Sequence, residues 1–121
     1  MSSYCVNKVE LNSLAESYGT PLYIVNGNDI INRATAFNNA KKYQKIEVVF
    51  AYANKAFCSI ATTKLLAKQG FNFDVVSSGE IAFMLQAGVD ASKLIFHGNN
   101  KTEEEIDEMV QKIEKDKEKM K

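Results

Sequence analysis

What this chain lacks narrows its options before any motif is read. It has no net charge, since 15 basic and 15 acidic side chains cancel, so nothing global points to nucleic acid or a membrane surface. Its two cysteines, Cys5 and Cys58, follow no metal-ligand spacing and do not make a disulfide framework. Reduced thiols and no metal site are expected. It has one proline, Pro21, and one histidine, His97. No apolar run could span a bilayer, and no charged head followed by a long apolar stretch opens the chain, so no signal peptide is visible. A soluble, cytoplasmic protein is the expectation. The 121 residues, 45% hydrophobic and 25% charged, fit one ordinary domain with a modest core.

What is present is a repeated strand–helix rhythm. Early on, Leu11, Leu14, Ala15 and Tyr18 make a short helical pattern that stops at Gly19. Thr20-Pro21 turns the chain, and Leu22–Val25 reads as a short strand closed by Asn26-Gly27-Asn28. Asp29 is placed to cap a helix carrying Ile30, Ala34, Phe37 and Ala40 at the 3.6 period, with Lys41-Lys42 at its end. Three βα units follow, of about 23–27 residues each. Strand Glu47–Ala53 leads to a helix from Ser59 to Lys68 closed by Gly70. Strand Phe71–Val76 leads to a helix from Gly79 to Ala87 closed by Gly88. Strand Lys93–Phe96 leads to a helix from Thr102 onward. Ser77 with Glu80, and Thr102 with Glu105, have the capping-box spacing. The class is α/β with a parallel sheet. Residues 1–28 form an N-terminal segment of helix, turn and short strand, and residues 29–121 hold the βα units.

The stretch Val48–Phe57 holds the first chemical candidate. On a continuing strand Lys55 shares a face with Val49, Ala51 and Ala53. Small walls beside an amine leave room for something planar, and partial desolvation makes a lysine nucleophilic toward a carbonyl. The same spacing also fits a strand-end lysine whose ammonium reaches water.

Four motifs then stand in order: YGTPLYIV (Tyr18–Val25), FAYANKAF (Phe50–Phe57), FDVVSSGEI (Phe73–Ile81) and IFHGNNKTEEEI (Ile95–Ile106). Together they resemble the N-terminal part of the diaminopimelate decarboxylases. These belong to the alanine-racemase-like (fold type III) group of pyridoxal-phosphate enzymes, with ornithine and arginine decarboxylases. The resemblance runs from about Leu11 to Ile106, and HGNNK and YAxKA favour the diaminopimelate branch. It implies a (β/α)8 TIM barrel, here partial, that carries pyridoxal 5'-phosphate, followed by a C-terminal β domain. It also implies a homodimer that converts meso-diaminopimelate to L-lysine and carbon dioxide in lysine biosynthesis. Lys55 matches the lysine that bonds covalently to the cofactor, at the C-terminal end of the first barrel strand.

Asp74 matches a motif residue on the same rim and is the second cofactor-binding candidate. The competing reading is a strand-end acid bonded to nearby backbone. Ser77 matches a family serine, though its pairing with Glu80 assigns it to a helix cap. Where the family reads SGGE this chain has Ser77-Ser78-Gly79-Glu80, and Ser78 would oppose a positive φ at that turn. His97 does not inherit the family's cofactor-stacking histidine, which comes from a later strand. It is expected to pack or hydrogen-bond at the rim.

A complete barrel takes about 250 residues. The stacking histidine, the phosphate-cradling glycine loop, the acid for the pyridine nitrogen and the β-domain substrate residues have no counterpart here. The reading is a decarboxylase N-terminal fragment, not expected to be active alone and prone to self-association through its open sheet edge. One alternative is a non-catalytic pyridoxal-phosphate-binding or regulatory module that pairs with a full-length decarboxylase. Another is an interaction protein working through Ile106, Met109, Val110 and Ile113, for which core packing is the competing reading.

Overall fold

The computed structural model of the protein describes residues 5–6, 8–99 and 101–119. In chain order the elements begin with β1 (Cys5–Val6), β2 (Val9–Glu10), α1 (Leu11–Tyr18) and α2 (Gly27–Lys41). There follow β3 (Ala51–Ala53), α3 (Ile60–Lys68), β4 (Asn72–Val75), α4 (Ser78–Gln86), β5 (Leu94–Phe96) and α5 (Glu103–Lys119). Strands β3, β4 and β5 form a parallel sheet in that spatial order. This is the run of a (β/α) barrel's first units, with α3 and α4 as crossovers.

The register fixes which side chains go inward. Tyr52 lies beside Phe73, Phe73 beside Leu94, and Val75 beside Phe96. Alternation turns all of these to the helix side. There they meet Ala34, Leu66, Ile81, Met84 and Met109 in one core, in which Phe73, Val75 and Met84 are 0% exposed. The opposite face carries Ala51, Ala53 and Ile95, all exposed, with half-buried Asn72 and Asp74. That face is open.

The helix ends are built as the sequence suggests. After α3, Gly70 N–H donates to Ala67 O (2.9 Å) and Phe71 N–H to Leu66 O (3.2 Å). After α4, Gly88 and Val89 repeat the pattern on Leu85 O and Met84 O. Both are Schellman closures whose glycine takes φ +80, and each brings a buried apolar pair together, Phe71 with Leu66 and Val89 with Met84. Each helix is thereby turned straight into the next strand. Thr102 and Glu105 form a reciprocal capping box, at 3.0 and 3.2 Å. Ser77 Oγ accepts from Glu80 N–H (3.2 Å), while the Glu80 carboxylate reaches one residue further back, to Val76 N–H (2.6 Å).

Several expectations are corrected. Leu22–Val25 is exposed and pairs with no described strand, because an apolar, strand-prone run becomes a strand only where a ladder partner exists. The N-terminal pairing is instead the short antiparallel bridge of β1 and β2. Asn26, not Asp29, caps α2, its side chain accepting from Asp29 N–H at 3.2 Å. Asp29 occupies the first turn and pairs with Arg33 at 3.1 Å. Strand Glu47–Ala53 shrinks to three residues, its length set by the short partner β4. Ser78 is the first residue of α4 and needs no positive φ, so the missing glycine carries no conformational penalty here. The α5 stripe divides: Met109 is buried and Ile113 packs on the core, but Ile106 and Val110 stay exposed. Asn100, within the HGNNK motif, lies outside the described residues.

Phe73→Ala is expected to cost about 3–5 kcal/mol, because a wholly buried ring leaves a cavity at the centre of the sheet. Tyr23→Ser, at a fully exposed position, should stay within about 0.5 kcal/mol of wild type. Urea unfolding of both variants measures the difference.

Candidate functional site

The C-terminal ends of β3, β4 and β5 form one rim, the edge where barrel enzymes gather their chemistry. At Ala53 the ladder ends opposite Asp74. The freed chain winds into a 3-10 turn, Asn54–Ala56, which packs on β4. Lys55 sits in the middle of that turn, exposed. It does not continue the face of Ala51 and Ala53, and no apolar walls enclose it among the described residues. Its ammonium has no ion-pair partner there either.

Asp74 is better held. One carboxylate oxygen, Oδ2, lies 2.7 Å from His97 Nε2. The other, Oδ1, is buried with no hydrogen-bond partner among the described residues. His97 reaches this position because its N–H donates to Val75 O (3.1 Å), extending the ladder one step past β5. Asp74 therefore bonds a side chain from the neighbouring strand rather than nearby backbone. There are two hollows, of about 430 and 350 Å³: one between the N-terminal elements and residues 24–28, the other on the helix side between α2 and α3, bordered by Tyr52 and Phe57. The rim is an open edge, not a pocket.

Sequence reasoning passed over two neighbours of Lys55. Tyr52 donates its phenol to Phe57 O (3.0 Å). Burial, and secondarily the adjacent Cys58, push its pKa above the ordinary 10.0. Asn54 is wholly buried and donates from Nδ2 to Cys58 Sγ (3.2 Å). Neither residue stands out in composition or period. On the outer side, Lys101 Nζ lies 3.6 Å above the Phe96 ring. Chemically the rim offers an exposed amine, a carboxylate with one oxygen unpaired among the described residues, and an imidazole bonded to that carboxylate.

Residues 28–118 match the family model described as pyridoxal-dependent decarboxylase, pyridoxal binding domain. The diaminopimelate decarboxylase of Bacillus subtilis is 44% identical over 93 residues, 77% of this chain and 21% of that one. Its counterpart in Bacillus methanolicus is 40% identical over 102 residues, 84% of this chain and 24% of that one. A solved structure of diaminopimelate decarboxylase from M. jannaschii in complex with L-lysine superposes with a TM-score of 0.76. It is 37% identical and covers 90% of this chain and 26% of that one. The chain thus spans between a fifth and a quarter of the length of these curated relatives.

Removing His97 as Ala should destabilise the protein by about 0.5–1 kcal/mol, since the bond to Asp74 Oδ2 lies at the solvent edge and water takes its place. In a cycle of Asp74→Asn, His97→Ala and the double variant, urea unfolding should give a coupling above about 0.5 kcal/mol. Tyr52 supplies a pH dependence. A phenol held protonated by the fold adds stability below its unfolded pKa, and that stability is lost as pH rises through the raised folded value. The urea midpoint should therefore fall above about pH 10 in wild type and flatten in Tyr52→Phe.

Proposed function

The chain belongs to the pyridoxal-dependent decarboxylases, and from that membership we propose that it is the N-terminal portion of a diaminopimelate decarboxylase. Residues 29–121 are then the first part of the cofactor barrel, and residues 1–28 the segment that leads into it. The complete enzyme would release carbon dioxide from meso-diaminopimelate to leave L-lysine, in the cytoplasm, as a homodimer. No described helix is long and apolar enough to cross a membrane.

The observation that carries the reading is the rim itself. An amine on Lys55 and a buried oxygen on Asp74, both without a partner among the described residues, stand at the ends of adjacent strands. Such a set fits pyridoxal 5'-phosphate. Lys55 would take its aldehyde, and Asp74 Oδ1 would accept a hydrogen bond from the bound group or the substrate. When bound, this cofactor supplies the electron sink for loss of carbon dioxide from an amino acid. The residues of this chain hold and orient. The Asn54–Ala56 turn presents the amine, and His97 keeps the Asp74 carboxylate from turning.

Capture of the cofactor tests this directly. Wild type and Lys55→Ala are incubated with pyridoxal 5'-phosphate, reduced with borohydride and mapped by peptide. Label concentrated on Lys55 and lost in the variant is the expected result. Label spread over many lysines, unchanged in the variant, overturns Lys55 as the cofactor lysine.

A further inference from the structure

Asn54 is a wholly buried polar side chain on the rim. It is 0% exposed, and an amide removed from water destabilises the fold unless hydrogen bonds compensate. Its compensation is partial. Nδ2 donates to Cys58 Sγ at 3.2 Å, and Oδ1 has no partner among the described residues. Rotating the amide by half a turn would set Oδ1 against the thiol S–H instead, so the contact with sulfur exists in either orientation.

Its location gives the contact a consequence. Asn54 opens the 3-10 turn, and Cys58 directly precedes Ser59, the N-cap of α3. Ser59 is itself fixed, accepting from Thr62 N–H (3.1 Å) and donating to Thr62 Oγ1 (2.9 Å). The amide–sulfur bond therefore closes a loop of which one end is anchored to β3 and the other to α3. Lys55, Ala56 and Phe57, all exposed, are the residues inside that loop. A second strut runs the same way, from Tyr52 to Phe57 O.

We propose that Asn54 is a positioning residue, which through Cys58 clasps the turn that presents Lys55 and so sets the direction of its amine. Its bearing on the cofactor rests on the function proposed above, but the clasp can be measured without any cofactor. The two variants Asn54→Ala and Cys58→Ala remove the bond from either side, and Cys58→Ser keeps an acceptor. Because Cys58 is exposed, its variants keep the test sound even if Asn54→Ala fails to fold.

Hydrogen exchange of the 55–57 amides should rise about fivefold in both alanine variants and stay near wild type in Cys58→Ser. Selective pyridoxal-phosphate capture at Lys55 should drop in parallel, by about fivefold, with rescue by the serine. Wild-type exchange of this turn in Cys58→Ala overturns the clasp. So does raised exchange with undiminished capture, because the turn would then loosen without moving the amine. If wild type shows no selective capture at all, the cofactor reading fails, and the exchange data alone decide the clasp.

Discussion

The structure depends on the pairing of β4 between β3 and β5. Within β4, Asn72–Asp74 pair with β3 and Phe73–Val75 pair with β5, and their alternation divides the molecule in two. Phe73 and Val75 face the helices and are completely buried. Burying two such side chains, at roughly 1.5–3 kcal/mol each, is what commits the helices to one face. Asn72 and Asp74 then have no choice but the other. The acid of the rim is thus placed by the same period of two that places the core, and a slip of one residue would exchange them.

A parallel sheet normally has both faces covered. Here the helices cover one, and Val49, Ala51, Ala53 and Ile95 leave the other largely apolar and open. In a barrel this is the inward face, filled by layers of side chains from the remaining strands. The three strands, their spatial order and their open face agree with the length comparison, in which relatives continue far beyond the region matched.

The elements legible in the sequence were those whose signals are local. Ser77 and Thr102 as caps, and Gly70 and Gly88 as stops, act through bonds to residues within a few positions, so reading along the chain finds them. The parallel sheet was legible as well, because three βα repeats of similar length admit few other topologies. Strand lengths were not. How far β3 extends is decided by how much of β4 lies beside it, and that is a property of two segments at once. The apolar Leu22–Val25 and the unremarkable Cys5–Glu10 show the same thing from both sides, since pairing and not composition made the strand.

The site divides on the same line. Lys55 and Asp74 could be named from motifs, but their surroundings could not. That Asp74 meets His97 follows from a register that sets Asp74 beside Ile95, so a residue two steps past Ile95 lands on the carboxylate. Asn54 was missed because a polar residue after a strand ordinarily reaches water, and only the packing of the turn on β4 buries it. The exposure of Lys55 follows from the ladder ending at Ala53. The amine is held by a turn rather than by a strand face, so its direction is set by the bonds that close the turn. The apolar enclosure expected from its sequence neighbours would have to come from whatever covers the open face. Position and environment of the amine therefore have separate origins, the first contained in residues 52–59 and the second outside them.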